Sequence, residues 1–253
     1  MTALLETRGI SKVFGGFRAL NDVSVVIDKG ELTSVVGPNG AGKTTLVNTL
    51  TGLLTPSAGE VLFMGRSIAG VGPVALTDQG LVRSFQLIQI FPQLTVAETI
   101  GAAVVSRQNK RWRLFARLAG DATVAARIRE VADIFNLGHR LDTVAATLSQ
   151  GEKKLLDVAS AFALDPKIIL LDEPTSGVST ADKHGIMRIL IAAGKRAGVE
   201  AIVLVEHDMD LVAAYSSRII ALSGGEVVAD LPPDRFFADA RLIETVIGKR
   251  RGR

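Results

Sequence analysis

The sequence of 253 residues carries one to two domains' worth of chain, 47% hydrophobic and 22% charged, ordinary globular usage that excludes disorder. Lys and Arg number 29 against 26 Asp and Glu, and a surplus of +3 makes no electrostatic case for a nucleic-acid binder. The absence of cysteine excludes disulfides, thiolate metal sites and cysteine nucleophiles.

Mean hydropathy is +0.32, yet no stretch approaches the roughly 18 consecutive apolar residues of a transmembrane helix. Met1 to Thr7 shows no basic segment followed by an apolar one, so no secretory signal is expected. No fixed-period repeat is visible, which excludes a solenoid. Val23, Val25 and Ile27 alternate with Ser24, Val26 and Asp28, the pattern of one strand with one buried face, ahead of a Lys29-Gly30 turn. Leu32 to Val36 is a short apolar run ending at Gly37, a buried strand. Residues 43 to 53 read as a helix, stopped before Pro56, and Val61 to Met64 as a strand. From about 95 to 165 the pattern is mainly helical, opened by the capping box Thr95-Val96-Ala97-Glu98. Within this block Arg107 to Arg117 is basic, with Trp112 and Phe115 interleaved. It reads as a solvated helix face or as a surface for anionic lipid. Ile168 to Leu171 is a strand, 181 to 196 a long helix, Ala201 to Val205 a strand and Met209 to Tyr215 a helix. Strands at Arg218 to Leu222 and Val227 to Asp230 finish the sheet, and a tail at 249–253 is expected to be frayed and disordered. Strand and helix alternating at this spacing predict an α/β core with parallel strands, and the block at 95–160 a helical subdomain inserted in a single domain spanning 1–253.

Gly37-Pro38-Asn39-Gly40-Ala41-Gly42-Lys43-Thr44 matches the phosphate-loop pattern G-x-x-x-x-G-K-[ST] in full, between an apolar strand and a helix. Its glycines let the backbone turn so that successive N–H groups point at phosphate oxygens. The helix opening near Gly42 adds its positive dipole end. Lys43 is a point charge for the β- and γ-phosphates, Thr44 offers a hydroxyl to Mg²⁺, and Thr45 completes the loop's run into the helix. Ile168 to Leu171 then delivers Asp172 and Glu173 to a strand end. In a phosphate-loop enzyme the first acid holds Mg²⁺ and the second polarises the attacking water. Alone, the same run is equally a strand ending in a charged turn.

With these two motifs the chain resembles the ATP-binding subunit of ABC transporters. Leu148-Ser149-Gln150-Gly151-Glu152, with Ser149 lying 23 residues before Asp172, is similar to that family's Leu-Ser-Gly-Gly-Gln signature; Gln150 replaces a glycine and Glu152 a glutamine. Ser149-x-x-Glu152 is also a plain capping box opening a helix to about Ala163, and the two readings are compatible. The resemblance implies that Ser149 and Gly151 meet the γ-phosphate of an ATP on the other subunit. By position, Gln86 in Arg83-Ser84-Phe85-Gln86 resembles the Q-loop glutamine, which senses the γ-phosphate and Mg²⁺. His207, 34 residues after Glu173, resembles the switch histidine that contacts the γ-phosphate, and Phe14 the aromatic stacked on adenine, with Phe17 a second candidate. A surface glutamine, a structural histidine and core phenylalanines are the other readings of these residues. Ser179 stands where the family usually has an aspartate that helps join two subunits.

Phe14 to Ser24, the segment Arg83 to Glu98, the long spacer before the signature and the closing Ala240 to Gly248 are similar to the ATPases of branched-chain amino acid importers; those of urea importers share most of this. The resemblance implies a phosphate-loop NTPase fold, a mixed sheet with an antiparallel part at the N-terminus. It implies an ATPase using ATP and Mg²⁺, with Lys43, Gln86, Glu173 and His207 in the chemistry and Thr44, Gln86 and Asp172 at the metal. Implied partners are integral membrane permease subunits, a second copy or a related ATPase and, indirectly, a substrate-binding protein, with no nucleic acid. The expected location is the cytoplasmic face of the membrane, with Ile88, Ile90 and Phe91 as contacts to the permease or, equally, some of them as core residues. A soluble ABC ATPase without a membrane partner is the rival reading. The chain's single cassette and lack of a heptad run or cysteines argue against it.

Overall fold

A computed structural model describes residues 3–84, 91–108 and 121–247. The chain divides into two units: residues up to Leu81 with those from Glu200 onward, and Val82–Val199. Among the described residues no helix is long and apolar enough to cross a membrane.

The first unit opens with β1 (Ala3–Phe14), β2 (Phe17–Val23) and β3 (Val26–Asp28). Gly15-Gly16 turns β1 into β2, and both β2 and β3 pair antiparallel with β1. The single strand expected over Val23 to Asp28 is therefore interrupted, although its alternation of buried and exposed residues holds. The cause is Thr7, whose Oγ1 donates to the Val23 carbonyl at 3.0 Å and accepts from the Val25 N–H at 2.9 Å, so a side chain takes ladder positions. β4 (Leu32–Val36) leads through a loop into α1 (Lys43–Leu50). This helix is shorter than expected: Thr51 is its C-cap and Gly52 follows in the left-handed conformation, φ +70°, that stops a helix. β5 (Ala58–Phe63) and β6 (Arg66–Ser67) complete the antiparallel sheet in the order β2-β1-β5-β6. Then comes α2 (Pro73–Gln79), which the sequence reading missed despite proline at its first position and Gly80 just past its end.

β7 (Leu81–Arg83) leads into the second unit, which holds α3 (Val96–Arg107), α4 (Ala122–Ile134), α5 (Gln150–Phe162), β8 (Ile168–Asp172) and α6 (Thr180–Arg196). α3 begins with the expected capping box, Thr95 Oγ1 accepting from the Glu98 N–H at 3.1 Å. The buried rings of Phe135 and Phe162 meet edge to face at 5.1 Å and close α4 on α5. Arg107, at the start of the basic stretch, pairs with Asp165 at 3.6 Å. Residues 109–117 of that stretch, and the 249–253 tail, lie outside the described residues.

The chain returns to the first unit with β9 (Ala201–Val205), α7 (Met209–Tyr215), β10 (Arg218–Ser223), β11 (Glu226–Leu231), α8 (Pro233–Ala238) and α9 (Ala240–Ile247). β4 runs parallel to both β9 and β10, in the order β11-β10-β4-β9, while β10 and β11 form an antiparallel hairpin. Val36, Val212, Ile219, Ala221 and Phe236 make the core between this sheet and α7–α9. Arg218 clasps one end of the sheet. Its Nε and Nη2 donate to Asp230 at 2.6 and 2.7 Å, and its Nη1 reaches the Val26 carbonyl at 2.9 Å and Glu31 at 3.2 Å. The Asp230 hydrogen bonds, then the charges of Asp230 and Glu31, raise the guanidinium pKa above its ordinary value. Arg218→Met removes these bonds and leaves two carboxylates without their cation. It is expected to lower unfolding free energy by about 2 kcal/mol in a urea titration.

Candidate active site

In the first unit the loop from Gly37 to Gly42 leaves β4 and is closed by its own lysine. Lys43 Nζ donates to the carbonyls of Gly37 at 2.6 Å and Pro38 at 3.0 Å, so the buried ammonium lies inside the turn it ends. A side chain at Gly42 is excluded twice: φ is +103°, and a Cβ would stand 2.6 Å from the Ala19 carbonyl. The loop therefore packs directly on β2. Gly42 is the N-cap residue of α1, with Thr44 exposed and Thr45 half-buried in the first turn. Pairing of Val35 with Val205 puts Gly37 and His207, each two residues further on, at the carboxyl ends of adjacent parallel strands. His207 is exposed there, its N–H bonded to Glu206 at 3.1 Å. Phe14 and Phe17 face each other across the β1–β2 hairpin, 46% and 64% exposed. Neither is a core residue. Lys12 Nζ sits 5.2 Å from the Phe14 ring centre.

In the second unit β8 and β7 lie side by side. β8 ends at Asp172, buried and paired with Arg83 of β7 at 2.8 Å, while Ser84 N–H donates to the Leu170 carbonyl. Glu173 follows at φ +49°, a left-handed conformation that a glutamate adopts only under constraint. Part of that constraint is the buried Lys154 of α5, whose Nζ donates to the Glu173 carbonyl at 3.3 Å. Ser149 is the N-cap of α5. Its Oγ accepts from the Glu152 N–H at 3.2 Å, and Glu152 accepts from the Ser149 N–H at 2.8 Å and from Arg140 at 3.1 Å. The Ser149 N–H above all, helped by Arg140, holds the Glu152 carboxyl below its ordinary pKa. Ser149 and Gly151 line an open groove of about 410 Å³ with Gly177, Ser179, Asp182 and Ile186. Ser179 is itself an N-cap: its Oγ donates to Asp182 at 2.5 Å and accepts from the Asp182 N–H at 3.3 Å at the start of α6. A Cβ built on Gly151 would meet nothing nearer than Ile186 Cδ1 at 3.9 Å.

Known proteins combine the same elements. The family model described as ABC transporter matches residues 20–176. The chain belongs to the ABC transporter ATP-binding family. It is 32% identical over 250 residues, 97% of this chain and 95% of the other, to a probable branched-chain amino acid transport ATP-binding protein, LivG, of Archaeoglobus fulgidus. Among solved structures it is similar to the ADP conformation of an ATP-binding cassette of an ABC transporter, with TM-score 0.85 and 28% identity over 98% of this chain and 100% of that one. A dimeric cassette in a post-hydrolysis state with ADP and inorganic phosphate matches at TM-score 0.75 and 26% identity, covering 90% and 98%.

The chain is thus an ATP-hydrolysing, nucleotide-binding cassette. Within its first unit the structure brings the phosphate loop and His207 to one sheet edge, with the exposed Phe14 on the strand pair that packs against the loop. Within its second unit Asp172 and Glu173 end one strand, and Ser149 and Gly151 share a groove with Ser179. Gln86, Ile88 and Ile90 lie outside the described residues; Phe91 is 58% exposed. Arg83 and Lys154 were missed as contacts of the acidic pair. Arg83 ends a short apolar strand and Lys154 lies one turn into a capped helix, and only the pairing of β7 with β8 and the packing of α5 give either a meaning. Because the folded pKa of Glu152 is depressed, its stabilisation is present above the ordinary glutamate value and lost as pH falls through the folded one. Glu152→Ala is expected to cost about 1 kcal/mol in urea unfolding at pH 7, and the gap to wild type should narrow as the pH falls below the ordinary glutamate range.

Proposed function

We propose that this cassette is the motor subunit of a membrane importer for branched-chain or related amino acids. The observation that carries the reading is the near full-length match to the LivG protein of Archaeoglobus fulgidus. In this reading residues 1–253 act as one cassette at the cytoplasmic face of the membrane. It works as a two-fold dimer with itself or a related ATPase, docked on integral permease subunits that a substrate-binding protein supplies.

The roles follow from the chemistry of each group. Loop N–H groups and the Lys43 ammonium hold the phosphates of ATP, and Phe14 offers a face to adenine. Asp172 and Thr44 are hard oxygen donors of the kind Mg²⁺ takes, and one or two protein ligands suffice where phosphates supply others. The fit rests on donor chemistry: a carboxylate at the end of β8 and an exposed hydroxyl in the first turn of α1. Bound Mg²⁺ would neutralise charge on the phosphates. Glu173 orients the attacking water and draws its proton; Gln86 and His207 read the γ-phosphate. Ser149 and Gly151 receive the γ-phosphate of the other subunit's ATP at the capped start of α5. Once that phosphate leaves, the link between two subunits is lost, and the dimer reopens.

Glu173→Gln is expected to bind ATP as wild type does, to hydrolyse it on the order of a thousandfold more slowly and to run as a dimer with ATP in size-exclusion chromatography. Normal turnover by this variant overturns the role given to Glu173. Lys43→Ala should lose ATP binding in a fluorescent-nucleotide titration. Purified from detergent-solubilised native membranes, the wild-type chain should carry polytopic permease subunits identifiable by mass spectrometry; recovery with soluble partners alone overturns the transporter reading.

A further inference from the structure

Among the described residues Asp172 has one ion-pair partner, Arg83, whose Nη2 stands 2.8 Å from Asp172 Oδ2. The side chains are 8% and 4% exposed, so water screens the pair little. A carboxylate placed at a buried strand end needs a counter-charge, and Arg83 supplies it from the neighbouring strand. A divalent cation approaching the same carboxylate meets a group already neutralised and a guanidinium that repels it. Arg83 and the metal therefore compete for one anion.

We propose that Arg83 is a positioning residue acting through Asp172, an internal cation that holds this carboxylate and that the metal must displace. This rests on the reading of Asp172 as the metal-binding acid. The pair sets the site's affinity: with Arg83 present the metal is bound less tightly than Asp172 alone allows, and released more readily.

The test compares Mn²⁺ binding, by the electron paramagnetic resonance signal of the free ion, in wild type, Arg83→Gln, Arg83→Lys and Asp172→Asn with saturating ADP. A neighbouring opposite charge changes a carboxylate's affinity for a proton by about tenfold to a thousandfold. Arg83→Gln should therefore bind Mn²⁺ about tenfold or more tightly than wild type, while Arg83→Lys, which keeps the charge, should stay close to wild type. Asp172→Asn should weaken binding. If Asp172→Asn weakens it but Arg83→Gln leaves it unchanged or weaker, the displacement proposal fails and the metal-binding role of Asp172 stands. If Asp172→Asn binds as wild type does, the underlying reading fails and the proposal with it. A crystal structure of the wild-type protein with ADP and Mn²⁺ needs no variant to fold. Separation of Arg83 from Asp172 beyond about 4 Å is expected there, and a retained pair with the metal bound overturns the proposal.

Discussion

Parallel pairing sends successive strands to the same edge of a sheet, and the first unit is arranged around that edge. β4 is held between β9 and β10, so the segments leaving β4 and β9 emerge side by side. The β10–β11 turn reaches the same place from the other side. Gly225 N–H donates to the Ala41 carbonyl at 3.1 Å, and its own carbonyl accepts from Asn21 N–H at 2.9 Å. One turn thus fastens the phosphate loop to β2. The lysine that must meet phosphate is fixed by loop carbonyls, and the loop by a hairpin whose far end Arg218 clasps. A loop that changes shape little on meeting its ligand spends little of its binding energy on ordering.

The second unit works with charge and strain rather than with a turn. β8 is apolar until Asp172, so its acid arrives in a place that disfavours it without a cation. Glu173 then sits in a backbone conformation worth of order 1–3 kcal/mol of strain, its carbonyl held by Lys154. Lys154 connects this carbonyl to the helix that Ser149 caps. The residue proposed to touch one nucleotide and the residue proposed to act on another are thereby joined through one helix and one lysine side chain.

Much of this was legible in the residues. The phosphate loop, the acid-tipped strand and both capping boxes are local patterns, and each is carried by one turn of chain or one strand end. The break between β2 and β3 was not legible, because the alternation of Val23, Val25 and Ile27 persists through it and the cause is Thr7, far away in sequence. The helix at Pro73 was not legible because it is two turns long and buries Leu76 alone, too little for a periodic pattern. The Arg83–Asp172 pair spans 89 residues and exists only once β7 and β8 are neighbours. Pairs of that separation have no local signature. The exposure of Phe14 and Phe17, too, follows from the hairpin and not from their apolar character.

Gly151 sits in the first turn of α5 with open space where a side chain would go. Alanine there would fit this chain and favour the helix by up to about 1 kcal/mol. Folding therefore gives no reason for a glycine at this position, and a small part of the fold's stability is forgone by keeping one. On the function proposed above, the missing methyl group leaves the capped start of α5 bare for the phosphate of a second subunit's nucleotide.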